Sequence, residues 1–140
     1  MSYDEFQDLV SNILYIQDTA GVIGWDQEVM MPEGGAEART KQRSALTKVI
    51  HQKMTGDTMS QLVEDLSEKD LDSEKQAELR EIKKDHERAV EVSEELEEKL
   101  SEQASTTQEV WKKARANDDF ETFAEELEKL VELKREYADQ

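Results

Sequence analysis

Cysteine is absent from the 140 residues, and that omission removes disulfides, thiolate nucleophiles and cysteine-based zinc sites together. Proline occurs once and glycine five times, so the chain has few points at which a regular element must stop. Bases are also scarce. Eighteen Lys and Arg against 35 Asp and Glu give a net charge of −17, which repels phosphate backbones and anionic headgroups alike. Neither nucleic acid nor a membrane surface is expected as a partner. No stretch approaches the ~20 consecutive apolar residues of a membrane span. The opening MSYDEFQDLV is acidic, whereas a secretion signal needs a basic start and an apolar run. A cytoplasmic protein is the expectation, and the lack of cysteine suits a reducing compartment.

What remains is a polar mixture, 38% charged and 36% hydrophobic, of about one domain's length. Apolar residues recur at helical spacing along the chain and no alternating strand pattern interrupts them. The expected fold is all-α, an antiparallel multi-helix bundle or hairpin array of about five helices, with residues 1–140 as a single helical domain. The first helix is predicted over residues 3–25, ending near Met30-Met31-Pro32, because proline disfavours helical backbone in the residue before it. A second is predicted over residues 36–54 and a short third, capped by Asp57 or Thr58, through Leu66. Residues 73–116 hold neither Gly nor Pro and keep a 3-4 spacing throughout. They read equally well as one long helix or as two broken near Val92-Ser93. Asn117-Asp118-Asp119 punctuates the chain before a last helix striped by Phe120, Phe123, Leu127, Leu130, Val131 and Tyr137.

Catalytic chemistry finds no foothold in this pattern. His86-Glu87 opens like the helical zinc motif H-E-x-x-H, but Val90 stands where the second histidine belongs. His51 is the only other histidine and has no Glu three residues before it, so the E-x-x-H di-iron pattern fails too. His86 reads as a partly buried seam residue, and His51 as a partner for helix-end carbonyls. There is no phosphate-binding glycine loop and no nucleophile elbow. Acid pairs such as Glu94-Glu95 and Glu97-Glu98 belong to a solvated face. No catalytic and no metal-ligating residue is therefore assigned, and no cofactor is expected in this chain.

Two segments break the monotony. The run WDQEVMMPEGGAEAR, beginning at Trp25, resembles the N-terminal signature of the carboxypeptidase Taq family of metallocarboxypeptidases, a W-D-Q-x-x-x-M-P-x-G-G/A pattern followed by an arginine. Trp25, Asp26, Gln27, Met31, Pro32, Gly34, Gly35 and Arg39 occupy those positions. Near the other end, WKKARANDDFETFAEELEKLVELKREYA resembles a second family pattern through Trp111, Ala114, Arg115, Phe120, Phe123, Leu127, Glu128, Val131, Leu133, Arg135 and Glu136. The family's N-D-F is one residue longer here, as Asn117-Asp118-Asp119-Phe120. Ala124 or Glu125 replaces its following proline, and Val92-Ser93 replaces its Leu-Pro break.

The resemblance spans nearly the whole chain yet corresponds to about the first third of a family enzyme, without the zinc-binding H-E-x-x-H region. It implies the N-terminal helical region of an enzyme that releases C-terminal residues from peptides, with zinc or a similar divalent metal in the full-length protein. Such a region contributes groove wall and helix packing and is not catalytic alone. The alternative is a stand-alone acidic helical interaction module. Trp25, Met30 and Met31 are expected as core residues fixing a corner whose path Pro32 and Gly34-Gly35 set. The resemblance also raises Asp26, Gln27 and Arg39 as substrate-groove candidates. The expected partner is the remaining catalytic region, or a second copy forming a dimer. Phe6, Leu9, Val10, Ile13, Leu14 and Ile16 spread beyond one narrow stripe and are the expected self-association face.

Overall fold

A computed structural model describes residues 2–140, and among them lie six α-helices, one 3-10 turn and no strand. Helix α1 spans Tyr3–Val29, the 3-10 turn Glu33–Gly35, α2 Ala36–Thr55, α3 Asp57–Ser67, α4 Ser73–Glu91, α5 Glu94–Ala116 and α6 Phe120–Ala138. The all-α expectation holds. None of these helices is long and apolar enough to cross a membrane.

Each start and stop has a local cause. Ser2 and Glu5 form a capping box, the Ser2 hydroxyl accepting the Glu5 N–H at 3.2 Å while the Glu5 carboxylate accepts the Ser2 N–H at 2.6 Å. The α1 end closes with the N–H groups of Met30 and Met31 both donating to the Asp26 carbonyl at 2.9 Å. A single residue, Gly56, joins α2 to α3. A Cβ there would stand 2.9 Å from the Gln52 carbonyl oxygen, closer than a side chain tolerates.

The stretch over residues 73–116 is two helices. Val92 is extended (φ −103°, ψ 129°) and Ser93 caps α5 by accepting the Leu96 N–H at 3.2 Å. The break turns Val92 inward, where it is buried with Leu96 and Leu100 against Leu130 and Leu133 of α6. At the α5–α6 corner Asp118 adopts φ 52°, a left-handed conformation that Asp tolerates better than most residues, and Asp119 caps α6 through the Thr122 N–H at 3.2 Å.

The larger core gathers Phe6, Val10 and Ile13 from α1, Met59, Leu62, Val63 and Leu66 from α3, and Leu79 from α4. The expectation that the first half of α1 offers a spare apolar face is therefore corrected. Phe6, Val10 and Ile13 are the centre of the core, and of that group only Leu14 is well exposed, at 50%. The spread of apolar positions reflects a helix wrapped by α2 and α3 on one side.

Helix α2 packs on α1, α3, α4 and α5, yet its one fully buried residue is Ser44. Its seam with α5 is hydroxylic: Thr40 bonds Ser105 at 3.2 Å and Thr47 bonds Ser101 at 3.0 Å. Small side chains let the two helices approach while their hydroxyls satisfy one another. Helix α6 packs chiefly on α5, and none of its residues is buried.

Candidate functional site

The corner after α1 carries the first signature, and the structure divides its polar residues between two sides of the helix. Asp26 meets Arg39 of α2: Nη2 donates to Asp26 Oδ2 at 2.5 Å and Nη1 to the Ile23 carbonyl at 2.8 Å. Nε of Arg39 donates to Gln42 at 3.1 Å, so the guanidinium is engaged on three sides. The pair braces the end of α1 against the start of α2.

Gln27, one residue further round, faces α5 and is 3% exposed. Its Oε1 accepts from Arg43 Nη1 at 3.1 Å, while Nε2 donates to Glu109 at 2.9 Å and more weakly to Ser105 at 3.4 Å. Glu109 in turn binds Lys112 at 3.0 Å, and Lys112 reaches back to Glu28 of α1 at 3.1 Å. Burial pushes the Glu109 carboxyl up, but the bonds from Gln27 and Lys112 and the charge of Lys112 outweigh it and hold the carboxyl below its ordinary value. At Lys112 burial acts downward and is outweighed by the bonds to Glu109 and Glu28, so its ammonium titrates above the usual lysine range. Beside this network opens a cleft of about 350 Å³, lined by Gln27, Glu28, Met31, Glu109, Lys112 and Lys113 among others.

The second signature forms a separate hollow of about 410 Å³ at the α5–α6 corner, walled by Trp111, Arg115, Phe120 and Phe123 with Asp118 and Asp119 at its end. Arg115 lies over the Trp111 ring at 5.7 Å and Phe120 meets Phe123 edge-on at 6.1 Å. The aromatics remain in contact with water, Trp111 43% and Phe120 69% exposed.

Trp25 is not a core residue. It is 59% exposed and Met30 66%, with Met31 half-buried against the 3-10 turn. A Cβ on Gly35 would stand 3.0 Å from Met31 Cγ, so that glycine makes room for the methionine, while Gly34 and Pro32 sit exposed at the corner. The correction has a simple cause: Gln27, two positions beyond Trp25, points at α5, so the indole is carried to the opposite side of the helix.

Both histidines serve helix ends. His51 of α2 donates from Nε2 to the carbonyls of Ala89 and Val92 at the end of α4, at 3.2 and 2.8 Å. His86 of α4, 9% exposed, donates from Nδ1 to the Met54 carbonyl at the end of α2 at 2.7 Å. Each helix thus supplies a donor to the terminal carbonyls of the other. Among the described residues no group of three or more His, Asp or Glu side chains could hold a metal ion. Sequence reasoning missed the Gln27–Glu109–Lys112 network, whose signal was the i, i+4, i+7 spacing of Thr40, Ser44 and Thr47 opposite Ser101 and Ser105.

Comparison with known proteins follows the same segments. Residues 5–140 match the family model described as Carboxypeptidase Taq (M32) metallopeptidase. The chain is 28% identical over 142 residues to Thermostable carboxypeptidase 1 of Thermus thermophilus, covering 99% of this chain and 28% of that protein. It is also 28% identical over 137 residues to Carboxypeptidase 1 of Bacillus subtilis, covering 95% of this chain and 27% of that one. The BsuCP crystal structure superposes with a TM-score of 0.93 at 26% identity, over 96% of this chain and 28% of that structure. The chain therefore spans little more than a quarter of the length of the relatives it matches.

Proposed function

Because the chain belongs to the carboxypeptidase Taq (M32) metallopeptidase family, we propose that it serves as the N-terminal helical region of a metal-dependent carboxypeptidase, an enzyme that releases single residues from peptide C-termini. The observation that carries this reading is the match over residues 5–140 to a little over a quarter of carboxypeptidase chains. The metal that the family name implies finds no fitting donor set among the described residues, and its ligands fall to the part of a family enzyme beyond the matched span.

In this role the helices supply a wall. The cleft beside Gln27, Glu109 and Lys112 lies between the two signature segments and offers a peptide both donors and acceptors. Asp26 and Arg39, turned toward each other, act on that wall from behind by fixing the α1–α2 corner, and Gln27 couples it to α5. Trp111, Phe120 and Phe123 give the remaining catalytic region an apolar hollow to fill. A cytoplasmic setting belongs to the same proposal and is supported by the absence of cysteine.

The exposure of Trp25 and Phe120 supports a second reading, a stand-alone acidic helical module that binds partners through those faces. Metal analysis and a C-terminal release assay on the 140-residue chain bear on both. We expect no stoichiometric zinc and no released amino acid. One tightly held zinc per chain, lost in His86→Ala, would overturn the assignment of catalysis to a region outside this chain.

A further inference from the structure

Helix α6 carries apolar residues on two sides and uses one. Leu130 and Leu133 join Val92, Leu96 and Leu100 against α5, and on the same side Glu126 accepts from Gln103 Nε2 through its carbonyl at 3.4 Å and its carboxylate at 2.7 Å. At about 100° per residue, Phe120, Ala124, Leu127 and Val131 fall within a sector of about 60° on the next side of the helix. Among the described residues α6 packs chiefly on α5, so nothing closes over that second sector. Phe120 is left 69% exposed and Val131 38%.

Two hollows open along the sector. The one walled by Trp111, Arg115, Phe120 and Phe123 is followed by a second of about 410 Å³, lined by Ala124, Leu127, Glu128, Val131, Glu132 and Arg135. The α6 residues that line them are centred about eight positions apart, ~12 Å along the axis, close to the ~11 Å that separates side chains two turns apart on another helix. Next to the apolar sector runs a row of acids. Glu121, Glu125, Glu128 and Glu132 share another sector of about 60°. Among the described residues the only ion pair of α6 joins Lys129 to Glu126 instead. Carboxylates set three and four residues apart with no base against them repel one another, and a partner's cations would relieve that repulsion.

We propose that this face of α6 docks a basic amphipathic helix of the catalytic region. Two of its apolar side chains, two turns apart, fill the two hollows, and a row of Lys or Arg lies along Glu121, Glu125, Glu128 and Glu132. Such docking presupposes that the chain is the N-terminal region of a longer carboxypeptidase. Charge selects the occupant. A second copy brings the same acid row and the same −17 charge, and an anionic membrane surface is repelled in the same way. A basic helix gains twice, from burial of Phe120, Leu127 and Val131 and from pairing with the acids beside them.

Hydrolysis by an enzyme carrying residues 5–140 in place of its own N-terminal span tests the carboxypeptidase reading separately, so the failure of one is distinguishable from the failure of the other. For the docking, the 140-residue chain with Trp25→Phe, which leaves Trp111 as the sole indole, is titrated with a synthetic helical peptide. The peptide carries Leu at i and i+7 and a row of Lys on one flank. Trp111 emission should change to saturation, and the affinity should fall with added salt. The same peptide with Glu for Lys, and a Lys peptide with its apolar spacing scrambled, should bind at least tenfold more weakly. Val131→Glu, and Glu128→Lys with Glu132→Lys, should each weaken binding at least tenfold with unchanged far-ultraviolet helicity, since all three side chains are exposed. No binding at about 100 µM overturns the proposal, as does equal binding of the scrambled peptide, which would show attraction to net charge alone. A Val131→Cys thiol shielded from maleimide before any peptide is added would mean that a second copy covers the face, and overturns it too.

Discussion

Replacing Gln27 by alanine should unfold the domain more readily than replacing Trp25, against every hydrophobicity scale. Gln27 is 3% exposed and holds two hydrogen bonds to ionised partners, from Arg43 at 3.1 Å and to Glu109 at 2.9 Å. A bond to a charged group contributes about 1.5–3 kcal/mol, and removing one member of a buried set leaves the others underpaired. Water can reach Glu109, whose side chain is 21% exposed, and recovers part of that loss. A net cost of about 2–4 kcal/mol follows, and at roughly 4 °C per kcal/mol for a domain of this size the melting temperature should fall by about 8–16 °C. Trp25 is 59% exposed and belongs to neither apolar cluster, and Trp25→Ala should stay within about 0.5 kcal/mol. Thermal denaturation followed by circular dichroism compares the two directly. If Gln27→Ala melts within 2 °C of the parent while Trp25→Ala loses more than 6 °C, the polar layer is not what joins α1 to α5.

Acid should expose the same network. The Glu109 carboxyl is held below its ordinary 4.5, so its contribution is complete above about pH 4.5 and is lost as pH falls through the lower folded value. Glu109→Gln should make the melting temperature less steep in pH below 4.5. Alkali should act at the other end of α1. Burial and the hydrogen bond that Tyr3 donates to Glu78 push its hydroxyl up to about 12, so its contribution is complete below pH 10 and is lost as pH rises through 12. Absorbance at alkaline pH should show one tyrosine ionising late, and Tyr3→Phe should remove that late step.

The sequence announced its helices because proline, glycine and capping Ser and Asp residues act locally. Asp119 is the clearest case, capping α6 through the Thr122 N–H, whereas the break at Ser93 stayed open between one helix and two until the structure showed the cap. Packing was legible where one helix face is apolar, as in the α6 stripe, whose Leu130 packs on Val92, Leu96 and Leu100. Legibility failed where packing is polar. Gln27 and Ser105 are buried because α1 and α5 approach closely and the two side chains meet, a relation between residues 78 positions apart that local periodicity cannot carry. Trp25 failed for the converse reason: its size predicts burial, but its register on α1 is set by Gln27 and Ile13 facing inward. Resemblance raised Asp26, Gln27 and Arg39 as groove candidates, and their pairing, Asp26 with Arg39 and Gln27 with Glu109, came only from three dimensions.

If this chain is the N-terminal wall of a carboxypeptidase whose catalytic machinery lies elsewhere, it should work in place of the matching span of a family enzyme. The direct measurement is peptide hydrolysis by a chimera in which residues 5–140 replace the matched N-terminal span of Thermostable carboxypeptidase 1 from Thermus thermophilus, assayed by release of C-terminal amino acids. The chimera should bind metal and release C-terminal residues, and Gln27→Ala within it should slow that release. A chimera that is folded and loaded with metal yet releases nothing would contradict the account.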